Sequence, residues 1–382
     1  MSWEAPPEPR RRWTAVAGVV ALVVAVTIAV AMARPRSGPS DLVVDGMDDA
    51  VGTDLDDSVA ADGLLRAPLD PAETPSGAPM ADAPELTAVI ADFGSRLQLI
   101  DLATGARRNV PVFADGTRLR PEALQIVGDS IIFDAAGRVV RLVEGNEGAP
   151  QQIARNHRSI PTADTASVWV YDQLTANIGG VASRVGFDGT VEDRIELPAL
   201  AQPLAGTSEG LVVGTPGTVS TIGNDGDRRL IARGQALASD GTNLARLDCL
   251  GDLSCSVAIG TLDEPDRARV TLQPGDLPVG MFEVPEARFS PDGRWLALPV
   301  YRELDNLRIE RSSVVVIDTE LGTEVERVPG STLTAPTTPF AWSPDSAWLA
   351  VSSGTGLLLW NEDLGVRELA LRAPPTYAIT LR

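Results

Sequence analysis

Past residue 85 the chain sets short apolar runs between polar breaks rich in Gly, Asp and Pro, and no helical period of apolar residues appears. Runs such as Thr87–Ala91, Ser130–Asp134, Ser167–Tyr171, Leu211–Gly214, Asn243–Cys249, Arg294–Val300 and Ala347–Ser352 have the length and residue preference of strands. Grouped by their turn signals, the runs fall into seven units of about 42 residues, the period of a four-stranded propeller blade. Unit one shows only three evident strands, because the residues before Glu85 are acidic and Pro-rich. At the far end Tyr377, Ile379 and Leu381 alternate with Ala378 and Thr380. This tail is therefore predicted to supply the innermost strand of the first blade and to join the ends of the ring.

Two sequence rhymes support the count. Phe289-Ser290-Pro291-Asp292-Gly293-Arg294-Trp295-Leu296-Ala297 returns 53 positions later as Trp342-Ser343-Pro344-Asp345-Ser346-Ala347-Trp348-Leu349-Ala350. Pro pre-sets φ while Ser and Asp hydrogen-bond nearby backbone, so each copy predicts a tight strand-to-strand turn. In the second rhyme, Asp101, Asp318 and Asn361 each end a run and are followed four positions later by Gly105, Gly322 and Gly365. The carboxylate or amide caps the turn and Gly takes positive φ. With these residues the chain resembles the TolB-like, WD-repeat-like propellers of exported bacterial proteins. The likeness is specific in units one, six and seven. It implies a binding scaffold. The Gly-His pair of eukaryotic WD repeats is absent, so their His-Asp tetrad is not carried over.

The N-terminal quarter reads differently. Trp13 to Ala33 is 21 residues without a charge, enough to span roughly 30 Å of hydrocarbon as a helix. Arg10, Arg11 and Arg12 precede it and Arg34 and Arg36 follow, a bias that places residues 1–12 in the cytoplasm and the rest outside. Ala31-Met32-Ala33 also fits a signal-peptidase site, and Arg10 to Trp13 faintly matches a twin-arginine signal; the length of the apolar run favours a retained anchor. Residues 34–84 form a linker, with twelve acids and one Arg between Asp41 and Glu85. Its composition predicts disorder, and as a coil it spans about 40 Å. Its Asp pairs do not fall at EF-hand spacing. The expected fold class is thus all-β: a seven-bladed β-propeller over 85–382, preceded by one transmembrane helix (13–33) and a disordered acidic linker.

Charge and composition narrow the function. The chain is 44% hydrophobic, enough for a sizeable core, and its net charge of -20 repels phosphate backbones, so no nucleic-acid partner is expected. The one histidine, His157, lies in Arg155-Asn156-His157-Arg158 and reads as a solvated residue between units. That scarcity disfavours His-dependent catalysis and His-ligated metals, and neither cofactor nor metal is expected. Cys249 and Cys255 flank a five-residue stretch between two runs of unit five and, in an exported chain, read as a disulfide; CxxC spacing and further ligands are missing. Gly206-Thr207-Ser208-Glu209-Gly210 matches a nucleophile-elbow pattern, but a strand rather than a helix follows and His157 lies upstream, so it reads as a turn. Trp169, Trp295, Trp348 and Trp360 fall at strand positions and are expected to pack between blades, with sugar stacking open to one that faces the channel.

The sequence therefore predicts a membrane-anchored, extracytoplasmic propeller that binds a protein, peptide or envelope component and has no catalytic residues. The alternative is a hydrolase or lyase using carboxylates at the channel mouth, as propeller glycosidases do without histidine.

Overall fold

A computed structural model describes residues 84–382 except 93–95, 112, 115–116, 119–120, 144–149, 163, 173–178, 250–254, 273–275, 279–286, 305–307, 330–339, 353–355 and 370–375. Blade 1 begins with β1 (Thr87–Asp92), β2 (Arg96–Asp101) and β3 (Arg107–Pro111), followed by a two-stranded aside, β4 (Phe113–Ala114) with β5 (Thr117–Arg118). Blade 2 is β6 (Pro121–Val127), β7 (Ser130–Ala135), β8 (Arg138–Val143) and β9 (Gln151–Arg155). Blade 3 is β10 (His157–Ile160), β11 (Ser167–Asp172), β12 (Gly180–Gly186) and β13 (Val191–Leu197). Blade 4 is β14 (Gln202–Thr207), β15 (Gly210–Thr215), β16 (Thr218–Gly223) and β17 (Arg228–Arg233). Blade 5 is β18 (Gln235–Ser239), β19 (Asn243–Cys249), β20 (Cys255–Thr261) and β21 (Ala268–Thr271). Blade 6 splits its first strand into β22 (Asp276–Pro278) and β23 (Arg288–Phe289), then adds β24 (Trp295–Leu304), β25 (Arg308–Asp318) and β26 (Thr323–Pro329). Blade 7 is β27 (Phe340–Trp342), β28 (Leu349–Ser352), β29 (Leu357–Asn361) and β30 (Gly365–Leu369), and β31 (Thr376–Leu381) ends the chain. Among the described residues no helix is long and apolar enough to cross a membrane; residues 13–33 and the linker expected over 34–84 lie outside them, apart from Pro84 itself.

Every blade is an antiparallel meander whose four strands, a to d, run outward from the axis. First strands touch along much of the ring: β31 meets β27 and β6, β14 meets β10 and β18, and β18 meets β23. The hydrophobic pattern follows this radial order. The second strand β7 is buried at all six positions because both its faces meet another blade, whereas β13 at the rim alternates exposed Glu192, Arg194 and Glu196 with less exposed positions that end in buried Ile195 and Leu197. Seven core clusters fill the seven gaps between neighbouring blades. Period-two alternation makes each strand serve two of them. Val89 and Ala91 pack with Phe133 of blade 2, while Ala88 and Ile90 on the same strand pack with Leu357 and Leu359 of blade 7.

The ring closes as the alternation of the C-terminal tail predicts. β31 is the innermost strand of blade 1, ordered β3-β2-β1-β31, with Ala88 opposite Leu381 and Ile90 opposite Ile379. Thr87 and Arg382 exchange backbone hydrogen bonds of 2.9 and 3.1 Å. Ile379 is fully buried among residues of blade 7 and blade 1. Ile379→Ala should therefore cost about 2–5 kcal/mol of the stability of the whole domain. Chemical denaturation read by both tryptophan fluorescence and far-UV circular dichroism checks this: the two probes should shift together, and an unchanged midpoint would mean the strand merely rests on blade 1.

Candidate functional site

The two faces of the ring differ in build. The ab and cd turns lie on one face, and those of blades 6 and 7 are closed by their own hydrogen bonds, whereas most of the cd connection of blade 2, residues 144–150, lies outside the described residues. In blade 6 the Ser290 hydroxyl donates to Asp292 Oδ1 (2.6 Å) and accepts from the Trp295 N–H (2.9 Å), while Asp292 Oδ1 accepts the Arg294 N–H (3.0 Å). Blade 7 repeats this: Ser343 donates to Asp345 and accepts from the Trp348 N–H (2.9 Å). The turns also tie blade to blade, since the Asp292 N–H donates to the Ser346 hydroxyl (2.9 Å) and Arg294 pairs with Glu362 at 2.5 Å. Within blade 6 the Thr319 hydroxyl of the cd turn donates to the Gly293 carbonyl (2.8 Å). Ser290, Pro291, Asp292 and Gly293, like Ser343, Pro344 and Asp345, thus have a structural role, with both serine hydroxyls and one carboxylate oxygen of each Asp bonded within the turn. Pro84 and Leu86 enter on this face, where the Leu86 carbonyl accepts the Leu102 N–H (2.9 Å).

The opposite face is formed by the bc and da connections. In blade 6, β24 and β25 are ten and eleven residues long and stay paired out to Leu304 opposite Arg308, whereas β26 pairs with β25 no further than Ser313. On the other side β22 follows β24 as far as Arg302, so the last pairs of the hairpin, Glu303 with Ile309 and Leu304 with Arg308, stand beyond both neighbouring strands. The connections from blade 5 to 6, 6 to 7 and 7 to 1 leave from the same face, as does the β4–β5 aside between blades 1 and 2. Innermost strands are also distorted toward this face. Register shifts leave Tyr377, Glu122, Leu204 and Leu237 as extra residues in blades 1, 2, 4 and 5, and in blade 6 the strand breaks between Pro278 and Arg288. Bulges of this kind bend a strand and re-aim its side chains. Elsewhere the face is tight: between blades 2 and 3 the single residue Asn156 (φ 59°) links the strands and the His157 N–H donates to the Gly137 carbonyl (3.1 Å).

A polar cluster lines this rim where blades 2 and 3 meet. Asp134 is 5% exposed, and its carboxylate accepts the Ser159 N–H on both oxygens (3.1 Å each) and the Ser159 hydroxyl (2.7 Å). Arg158 and Tyr171 are cross-strand partners, as are His157 and Asp172 at the rim. Burial pushes the Tyr171 phenol above its ordinary pKa; Arg158 opposes the shift and Asp134 adds to it, so the hydroxyl stays protonated at neutral pH. Asp134 holds the strand of one blade to the next, and a protonated Tyr171 offers a hydrogen bond rather than a base. By sequence, the described innermost strands carry two carboxylates, Glu122 on β6 and Asp276 on β22, each near the bc/da end of its strand. Among the described residues no three His, Cys, Asp or Glu side chains gather as a metal would require.

Other residues singled out in the sequence find definite places. His157 is the first residue of an innermost strand, not a loop residue between units; a one-residue connection leaves no loop there. Gly206 and Thr207 end β14 and Gly210 opens β15, so the elbow-like motif is a tight ab turn. Trp169, Trp295, Trp348 and Trp360 are all buried between blades, with Trp360 edge-on to Trp295 and Trp342 at 5.4 and 5.9 Å, and none offers a face to a sugar. Cys249 and Cys255 are backbone register partners at the end of the β19–β20 hairpin, on the bc/da face.

No family model matches the chain, and no curated protein matches it. Solved structures with detectable likeness include Kuenenia stuttgartiensis hydrazine synthase, at 14% identity over 64% of this chain and 77% of that one, TM-score 0.47. Kluyveromyces lactis Hsv2 aligns at 15% identity over 68% and 81%, TM-score 0.44. Citrobacter koseri AztD aligns at 11% identity over 78% and 97%, TM-score 0.45. The propeller rests on the strand pairing and not on these likenesses.

The two repeated turns yield a prediction because their fourth residues differ. Gly293 has φ 72°, and a Cβ there would lie 2.3 Å from Asn243 Nδ2, an amide held by Asp240 at 2.8 Å. Ser346 occupies the equivalent place at φ 64°. Gly293→Ala should destabilise the domain by about 1–3 kcal/mol. Ser346→Gly relieves strain while losing one hydrogen bond, and should change stability by less than about 1 kcal/mol. Urea titration of both variants checks the asymmetry, and equal losses would contradict it.

Proposed function

We propose that the chain is a membrane-anchored, extracytoplasmic β-propeller that binds a protein, peptide or cell-envelope component through its bc/da face, without catalysis of its own. One observation carries this reading: the repeated ab turns of blades 6 and 7 are closed by their own hydrogen bonds, while the extended β24–β25 hairpin and the ends of the connections between blades 5, 6, 7 and 1 lie on the opposite face. Binding residues characteristically sit on such connections, held by a rigid scaffold. Pro84 enters blade 1 from the ab/cd side, so a tether preceding it attaches on the face away from the hairpin. The apolar stretch 13–33 is read as that tether's membrane span, with the C-terminal domain outside the cell membrane. The alternative reading, a hydrolase or lyase, has its foothold in Glu122 and Asp276, which sit near the same end of innermost strands in blades 2 and 6.

A photoreactive amino acid placed at Leu304 on the hairpin, or at the exposed Leu321 of a cd turn, tests the face assignment in intact cells. Adducts to another envelope component are expected from position 304 and not from 321, and the reverse pattern would contradict the assignment.

Export also bears on the cysteines. Directly opposed residues of antiparallel strands have Cα atoms about 4.5–5.5 Å apart, within the range of a disulfide, and Cys249 and Cys255 are such a pair. In an oxidising compartment they should be bridged. Non-reducing mass spectrometry should find their peptides joined and two hydrogens lighter, and Cys255→Ser should cost about 2 kcal/mol because the closed loop is short. Free thiols in freshly exported protein would overturn the bridge.

A further inference from the structure

The outermost strand of blade 4 differs from the other rim strands in its charge. A d strand pairs on one side only, and its open edge is a template for another chain unless charge, proline or a bulge protects it. Three rim strands mix signs: β13 carries Glu192, Asp193, Arg194 and Glu196, β26 carries Glu324, Glu326 and Arg327, and β30 carries Arg367 and Glu368; the other three carry arginine alone but less of it, with Arg107 and Arg108 on β3, Arg155 on β9 and Arg269 on β21. β17, Arg228-Arg229-Leu230-Ile231-Ala232-Arg233, carries three arginines and no carboxylate, in a chain of net charge -20.

Little of that positive charge is spent. Arg228, Arg229, Leu230 and Arg233 are all exposed, Leu230 by 56%. Arg229 pairs with Asp263 of blade 5 at 2.8 Å, but both side chains are mostly in solvent, where such a pair holds weakly. Arg228 and Arg233 have no ion-pair partner among the described residues, and neither has the exposed Arg267 in the cd connection of blade 5. Against β16 the register steps from Val219–Ala232 to Ser220–Leu230, leaving Ile231 as a bulge. Arg228 and Leu230 then share one face of the sheet and Arg229 takes the other.

We infer that the open edge of β17 is a docking strand for an extended acidic peptide segment, with carboxylates meeting Arg228, Arg229 and Arg233 and an apolar residue covering Leu230. In strand addition the main chain supplies affinity and alternate side chains supply selectivity. A second copy of this edge is the wrong occupant, because antiparallel pairing would bring six arginines together. The charge that repels the chain's own edge is the charge that admits an acidic one. This surface lies at the rim and does not depend on the bc/da face assignment.

Fluorescence anisotropy of the full-length protein tests the inference with a labelled seven-residue peptide alternating Asp or Glu with Val. The control is a peptide of equal charge with two of its valines replaced by proline. The alternating peptide should bind with an affinity that falls as salt rises, and the proline peptide at least tenfold more weakly, because proline removes ladder donors. Arg228→Ser with Arg233→Ser should weaken binding about tenfold at an unchanged melting temperature. Arg194→Ser with Arg367→Ser, on other rim strands, should leave it unchanged. Equal binding of the proline peptide, equal loss in both double variants, or no binding at all would overturn the docking strand. So would displacement of the peptide by phosphatidylglycerol vesicles, which would assign the arginines to a membrane surface.

Discussion

The structure depends on one pairing, that of β31 with β1. A propeller blade cannot stand alone, because its central strands are apolar on both faces and need a neighbour on each side. Six of the seven interfaces follow from chain order. The seventh requires the last strand to join the first blade. Ala88 and Ile90, with Ile379 and Leu381, form one side of that interface, and Ala350, Leu357 and Leu359 of blade 7 form the other. Because each strand serves two gaps, loosening this one exposes apolar positions on both flanking blades. Ring closure is therefore a condition for the remaining core and also fixes the spatial relation of every loop.

Closure divides labour between the faces. On the ab/cd side polar groups are consumed locally: Ser290 with Asp292, Ser343 with Asp345, and Asp292 with Ser346 across blades. Rigidity there holds the strand ends. On the opposite side four innermost strands bulge and a fifth is interrupted, and the β24–β25 hairpin stands beyond its blade. Sequence variation is tolerated where the scaffold does not need the backbone, which is why recognition is read on that face and at β17, the rim strand with the most arginines.

Much of this was legible in the residues, for identifiable reasons. Strands such as Ser130–Ala135 announce themselves because both faces are buried, and the Ser-Pro-Asp turns because their geometry needs those side chains. The tail Thr376–Leu381 was readable as a latch because it alternates and blade 1 lacked a strand. The innermost strands of blades 3 and 4 were not readable. His157–Ile160 and Gln202–Thr207 have few apolar residues, and Pro203 and Gly206 look like loop punctuation, since a strand facing a channel needs little apolar surface. The Asp134–Ser159 tie was equally hidden, because it joins residues 25 apart through a turn of the ring. The rim arginines were visible as letters, but their shared exposed edge appears only once β17 is known to be outermost.

Native-state hydrogen exchange at the amides of Val89, Ala91, Ala378 and Thr380 tests ring closure most directly. If β31 seals one cooperative ring, these amides exchange only through global opening, with the same free energy and denaturant dependence as those of Ile132 and Val213 in the central strands. Exchange of Ala378 and Thr380 through a local opening, well below the global free energy, would show that the ring stands without its latch and would contradict the account.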